Sequence, residues 1–321
     1  MAAFMYALFC RIVAATLTCL LSAAVLAFQS SSGQTSTGAS NAADRLGEAR
    51  TLTIEGKLDE ALAVYRQLLQ QSPSSFEAHL SLGTLLDLKG EYAAARKEIN
   101  QAIGLSSSPA AKAQAERALA ISYAFEHKAA EAAEYEQQAF DSQVAANDFY
   151  AAGETADELA RICIESGDLD NAYKWYKTGY ETGLKQPDIT DSRKNVWGFR
   201  WENAQARMAV RRGNREEAQK HVDAAKGYLD KASDHQQESF FPYLTGYVAF
   251  YGGDYQRAIA ELQKANQRDP FVLSLLAQAY EKTGSKTQAM EYYRKVLTFS
   301  MHNPSNAFAR PLALQKIAPS S

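Results

Sequence analysis

Small and apolar side chains recur through residues 240–270 at the intervals expected of two antiparallel helices joined by a glycine turn. Counting from Gly253, Gly246 lies seven positions before it and Ala249 four before. Tyr255, Ala258, Leu262, Ala265 and Pro270 follow at two, five, nine, twelve and seventeen positions after it. Intervals of this kind hold residues on one helical face, so each half of the segment presents one apolar stripe. Small residues at Gly246 and Ala258 let the two helices approach closely, and Tyr255 and Leu262 fill the gap to the next pair. Pro270 lacks an amide hydrogen and is expected to end the second helix.

The same frame repeats along the chain. Gly56 heads Ala49, Leu52, Leu58, Ala61, Tyr65, Leu68 and Pro73, and Gly90, 34 residues later, heads Gly83, Leu86, Tyr92, Ala95, Ile99 and Ala102. Gly167, Gly213 and Gly284 head comparable sets, with Cys163 at a packing position of the Gly167 copy. A weaker copy turns at His127 and carries Glu136 where an apolar residue is wanted. Fixed-period self-similarity of this kind marks a stack of identical supersecondary units. The pattern resembles the tetratricopeptide repeat family over 41–304. The resemblance implies an all-α fold, a right-handed α-solenoid of about seven helical hairpins. It also implies a binding role rather than catalysis, with proteins or peptides as partners.

The flanks read differently. Residues 1–27 hold Arg11 and then an apolar run closing on small residues, which resembles a bacterial export signal cleaved near Ala27. Left uncleaved, residues 12–28 are just long enough to anchor the chain in a membrane. Either way the expected destination is the periplasm or the cell exterior. Residues 28–40 are small and polar and read as a flexible linker. Beyond the array, 305–321 reads as a terminal cap or as a tail broken at Pro311. Between hairpins, the turn-to-turn spacing loosens after Gly90, and residues 183–194 form the clearest loop signal.

Charge and composition narrow the functional classes. With 46% hydrophobic residues and a net charge of −3, the chain supports a continuous core and lacks the basic excess of a nucleic-acid binder. Cys10 and Cys19 fall in the export segment, leaving Cys163 alone, so no internal disulfide is expected and a buried, inert thiol is. The five histidines share no motif, and HExxH, CxxC, GxSxG and phosphate-binding glycine loops are absent, so no catalytic residue, metal ligand or cofactor is expected.

In the family the chain resembles, the first helix of each hairpin lines the inner face, with inward residues about thirteen, ten, six, three and two before the turn glycine. From Gly253 these offsets select Phe240, Tyr243, Tyr247, Phe250 and Tyr251; from Gly213 they select Arg200, Asn203, Arg207, Val210 and Arg211. The candidate ligand-binding set is therefore Arg200, Asn203, Arg207, Arg211, Phe240, Tyr243, Tyr247 and Tyr251. Arginine beside tyrosine suits an acidic or carboxylate-bearing peptide, since arginine grips carboxylates in a fork and tyrosine adds contact area with a directed hydroxyl. Packing of Tyr247 and Phe250 in the core is the competing reading. The residues depart from the lysine–asparagine clamp of the chaperone-binding members: Asp157 and Arg161 stand in the preceding helix and Phe271 and Ser274 in a following one. Trp197, Phe199 and Trp201 form an aromatic cluster read as helix packing or a partner contact. Two alternatives stand beside peptide binding: a self-associating spacer, and an accessory part of envelope polysaccharide or secretion machinery.

Overall fold

The computed structural model describes residues 32–232 and 239–318. The chain divides between Ala43 and Asp44 into two units, and the export segment 1–27 lies outside the described residues. In the first unit, 32–43 are helical, so part of the stretch read as a linker is helix.

Fifteen helices make up the described residues, and no strand is present among them. They are α1 (Ser32–Ile54), α2 (Leu58–Gln71), α3 (Phe76–Lys89), α4 (Tyr92–Leu105), α5 (Pro109–Ala124), α6 (Ala129–Ala145), α7 (Phe149–Glu165), α8 (Leu169–Gly183), α9 (Asp191–Arg211), α10 (Arg215–Ala232), α11 (Phe240–Tyr251), α12 (Tyr255–Leu262), α13 (Pro270–Lys282), α14 (Lys286–Leu297) and α15 (Pro304–Ile317). Odd and even helices alternate as seven hairpins, the architecture of an α-solenoid, and α15 follows the last. All six turn glycines of the repeating frame have positive φ, between 76° and 90°. That region costs an L side chain roughly 1–2 kcal/mol, which is why glycine recurs there. The weak copy turns at His127 with φ 58°, keeping the same backbone without glycine.

Close packing explains the small residues. A Cβ built on Gly83 would meet Ile99 at 2.5 Å, and one on Gly246 would meet Leu262 at 2.6 Å. Ala61, Ala95, Ala172, Ala218, Ala258 and Ala289 are all buried at the equivalent second-helix position. Trp197 and Phe199 lie within α9, and both are buried. The Trp197 indole fills the space left by two glycines: a Cβ at Gly183 would approach its ring to 2.1 Å and one at Gly153 to 2.6 Å.

Two positions differ from the sequence-based expectation. Pro270 does not end α12, which stops at Leu262; it opens α13, with Asp269 capping the Phe271 amide. A first-turn proline sacrifices no helical hydrogen bond and presets φ, so it starts a helix as readily as it stops one. Pro311 lies inside α15 and does not break it, so of the two readings of 305–321 the broken tail fails and the helix is compatible with a cap. That last helix packs far from its neighbours in sequence. Buried Arg310 donates from Nε to the Leu88 carbonyl and from Nη1 to the carbonyls of Leu297 (3.1 Å) and Phe299 (3.0 Å). One guanidinium thus caps the ends of α3 and α14, where unpaired carbonyls and the helix dipoles favour a cation. Just before α15, His302 Nε2 pairs with Asp87 at 2.8 Å, and Ser122 donates to the other Asp87 oxygen at 2.8 Å. The array from α3 onward therefore curls until its end meets its second hairpin.

Candidate functional site

The curl leaves a cavity of about 590 Å³ bounded by the first helices of successive hairpins. Arg117 of α5, Glu154, Asp157, Glu158 and Arg161 of α7, Arg200, Asn203 and Arg207 of α9, and Phe240 and Tyr243 of α11 line it, together with Tyr176 of α8 and residues 301–305. A second cavity of about 520 Å³ adjoins it and shares Arg117 and His302. Five of the eight sequence-predicted residues, Arg200, Asn203, Arg207, Phe240 and Tyr243, therefore meet at one site.

The other three do not reach it. Arg211 donates to Glu165 at 3.2 Å and to the Tyr247 hydroxyl at 3.1 Å, and its guanidinium lies 4.5 Å from the centre of the Tyr251 ring. The Tyr247 hydroxyl donates to the other Glu165 oxygen at 3.1 Å, and Tyr247 is 0% exposed. Glu165 is itself buried, and a buried carboxylate requires a cation and hydrogen-bond donors. Arg211 and Tyr247 satisfy Glu165, and Tyr251 packs against both of them. Phe250 is core, as the competing reading had it.

The cavity charges sort into paired and unpaired. Arg117 donates to Glu158 at 2.6 Å; Arg200 donates to Glu154 at 2.9 Å and lies 3.8 Å from Asp157. Buried Glu136 is held well above the usual carboxylate range by burial and by the neighbouring Glu158 carboxylate. Arg161 and Arg207 have no carboxylate within 4.0 Å among the described residues. Arg161 lies 5.2 Å from the Phe271 ring centre; Arg207 lies over Tyr176 and Tyr247 and donates to the Tyr176 hydroxyl at 2.6 Å.

Burial pushes the Asp157 carboxyl up to about 7, against the opposing pull of Arg200 and Arg207. The sign follows directly. The folded state keeps a proton that the unfolded chain releases near pH 4, so this group's stabilising contribution is full at low pH and declines as pH rises through about 7. Subtracting the stability of Asp157→Asn from that of the wild type at each pH should give a decline between pH 4 and 7, with a slope of up to about 1.4 kcal/mol per pH unit. Urea titrations across that range check it, and a flat difference would contradict it.

Burial pushes the Cys163 thiol up to about 12, leaving almost no thiolate at neutral pH. Among the described residues no group of three or more potential metal ligands occurs, and no helix is long and apolar enough to cross a membrane.

The tetratricopeptide repeat family model matches residues 46–115 and 243–304, near the two ends of the array. Among solved structures, the apo form of RapI superposes with a TM-score of 0.54 at 13% identity, over 87% of this chain and 100% of that one. A tetratricopeptide repeat protein from Parabacteroides merdae gives 0.47 at 12%, over 84% and 98%. The Cut9–Hcn1 hetero-tetramer of the APC/C gives 0.41 at 14% over 78% of this chain, which spans only 45% of that one. At these identities the likeness concerns the fold alone. No curated protein matches the chain.

Proposed function

We propose that the protein is a non-catalytic scaffold of the bacterial cell envelope that holds an extended, acidic segment of a partner polypeptide on the inner face of its repeat array. The observation that carries this reading is the cavity itself, lined by arginine, tyrosine and asparagine from consecutive first helices and continued by a second cavity. Pockets for small ligands run to roughly 300–1,000 Å³, and two joined spaces of this size suit a run of residues better than one compact metabolite. The export signal read in residues 1–27 supports a periplasmic or secreted location, with anchoring through 12–28 if that segment is retained.

Phe240 offers the cleanest test because it is 46% exposed at the rim and its replacement disturbs little of the core. Tagged full-length chain is expected to retain specific partners from periplasmic and membrane fractions, and Phe240→Asp is expected to lose most of them while keeping the wild-type circular dichroism. Retention unchanged in Phe240→Asp would exclude the cavity as the binding surface. A phosphatase fused after residue 40 should be active outside the cytoplasm; activity confined to the cytoplasm would remove the envelope assignment.

A further inference from the structure

Three donors on the cavity wall are unmet. The Nε atoms of Arg161 and Arg207 and the Tyr243 hydroxyl are buried and lack hydrogen bonds among the described residues. Arg207 is only 6% exposed. Both arginines act electrostatically on Tyr243 and on each other, so the three groups share one corner of the wall. Folded proteins rarely leave buried donors unmet, and two permanently charged guanidiniums call for an anion. The number of donors decides which anion. Arg161 makes no hydrogen bond among the described residues, so all its N–H groups are available, and Arg207 Nε and the Tyr243 hydroxyl add to them. A carboxylate offers about four lone-pair positions on two oxygens, fewer than these donors can fill. A phosphate monoester offers three terminal oxygens and, as a dianion, one charge for each guanidinium.

Resting on the reading of this cavity as the binding surface, we propose that Arg161, Arg207 and Tyr243 seat the phosphate group of a phosphate monoester. Its carrier is a phosphorylated side chain of the bound segment or a small phosphate ester. The acids nearby are already engaged. Glu154 and Glu158 accept from Arg200 and Arg117. Glu165 and Asp269 act on Arg161 from beyond 4.0 Å and accept from Arg211 and from the Phe271 amide. Asp157 faces Arg200 and Arg207 of α9, Tyr176 of α8 and Glu154 of its own helix. Burial holds its carboxyl up to about 7, so in mildly acid solution it keeps a proton and donates to an oxyanion instead of repelling it. A phosphate ester sheds its second proton near about pH 6. Both conditions hold together only in a narrow window between those two values.

Calorimetric titration of the full chain with phenyl phosphate, benzenesulfonate and benzoate tests the seat. Phenyl phosphate is expected to bind about ten-fold tighter than either of the others, and Arg161→Met to lose that preference. Arg161→Met should keep the wild-type circular dichroism, because no hydrogen bond is removed, and Arg161→Lys should recover part of the affinity. Affinity for phenyl phosphate should peak between about pH 6 and 7, and Asp157→Asn should abolish its fall on the alkaline side. An amidated alanine hexapeptide with one phosphoserine identifies the carrier: tighter binding than phenyl phosphate assigns a phosphorylated segment, and equal or weaker binding a small ester. Benzoate bound as tightly as phenyl phosphate, or phenyl phosphate bound equally by Arg161→Met, overturns the seat. Absence of phenyl phosphate binding also overturns it. The Phe240→Asp capture experiment separately decides the scaffold reading, which stands if partners are still lost there.

Discussion

Replacing Tyr247 with alanine should lower unfolding stability by about 3–5 kcal/mol, the range for deleting a fully buried aromatic ring. The ring is wholly enclosed between α9 and α11, with Tyr243 and Tyr251 packed at 5.9 and 4.5 Å between ring centres. Its hydroxyl donates to Glu165 and accepts from Arg211, so truncation also leaves a buried carboxylate short of a donor. Tyr247→Phe separates the two effects. It keeps the volume and should cost about 1.5–3 kcal/mol, the range for a hydrogen bond to a charged group. Urea unfolding followed by circular dichroism measures both. A Tyr247→Ala protein of wild-type stability that fails to retain peptides would return this residue to the ligand surface and contradict the core assignment.

Two glycines within helices should respond in opposite directions. Gly183→Ala should cost about 3 kcal/mol, the upper part of the range for overpacking, because its Cβ would stand 2.1 Å from the Trp197 indole and 2.3 Å from the next ring atom. The indole cannot retreat freely, since its other side meets Gly153 and its edge lies against Tyr150. Gly227→Ala on α10 meets nothing within 4 Å. It should stabilise by about 0.5–1 kcal/mol through helix propensity alone. Equal effects at the two positions would mean that the wedge of Trp197 between hairpins is not a feature of the fold.

The turns were legible in the sequence because they depend on local backbone. A glycine flanked by small residues at fixed offsets encodes both the positive φ and the close approach, and each of the six glycines turned as read. Half of the site was legible for the same reason. Offsets from Gly213 and Gly253 found Arg200, Asn203, Arg207, Phe240 and Tyr243. The same offsets from Gly167 point to Glu154, Asp157 and Arg161, so the signal for α7 is present in the sequence as well. Other features depend on contacts distant in sequence. Glu165 engages Tyr247 across 82 positions, which withdraws Arg211 and Tyr247 from the cavity. His302 meets Asp87 across 215 positions, which brings 301–305 to the cavity wall. How far successive hairpins rotate decides both contacts, and that rotation is a sum of small packing angles no single repeat reveals.

Phe240 at the cavity rim and Tyr173 on second helix α8 are both exposed, and only the first borders the cavity. Installing a photoreactive benzophenone side chain at each position in turn, in cells carrying the full chain, tests directly where a partner sits. The account expects a polypeptide crosslinked from position 240 and none from position 173. Crosslinks from 173 with none from 240 would place the binding surface elsewhere and contradict it.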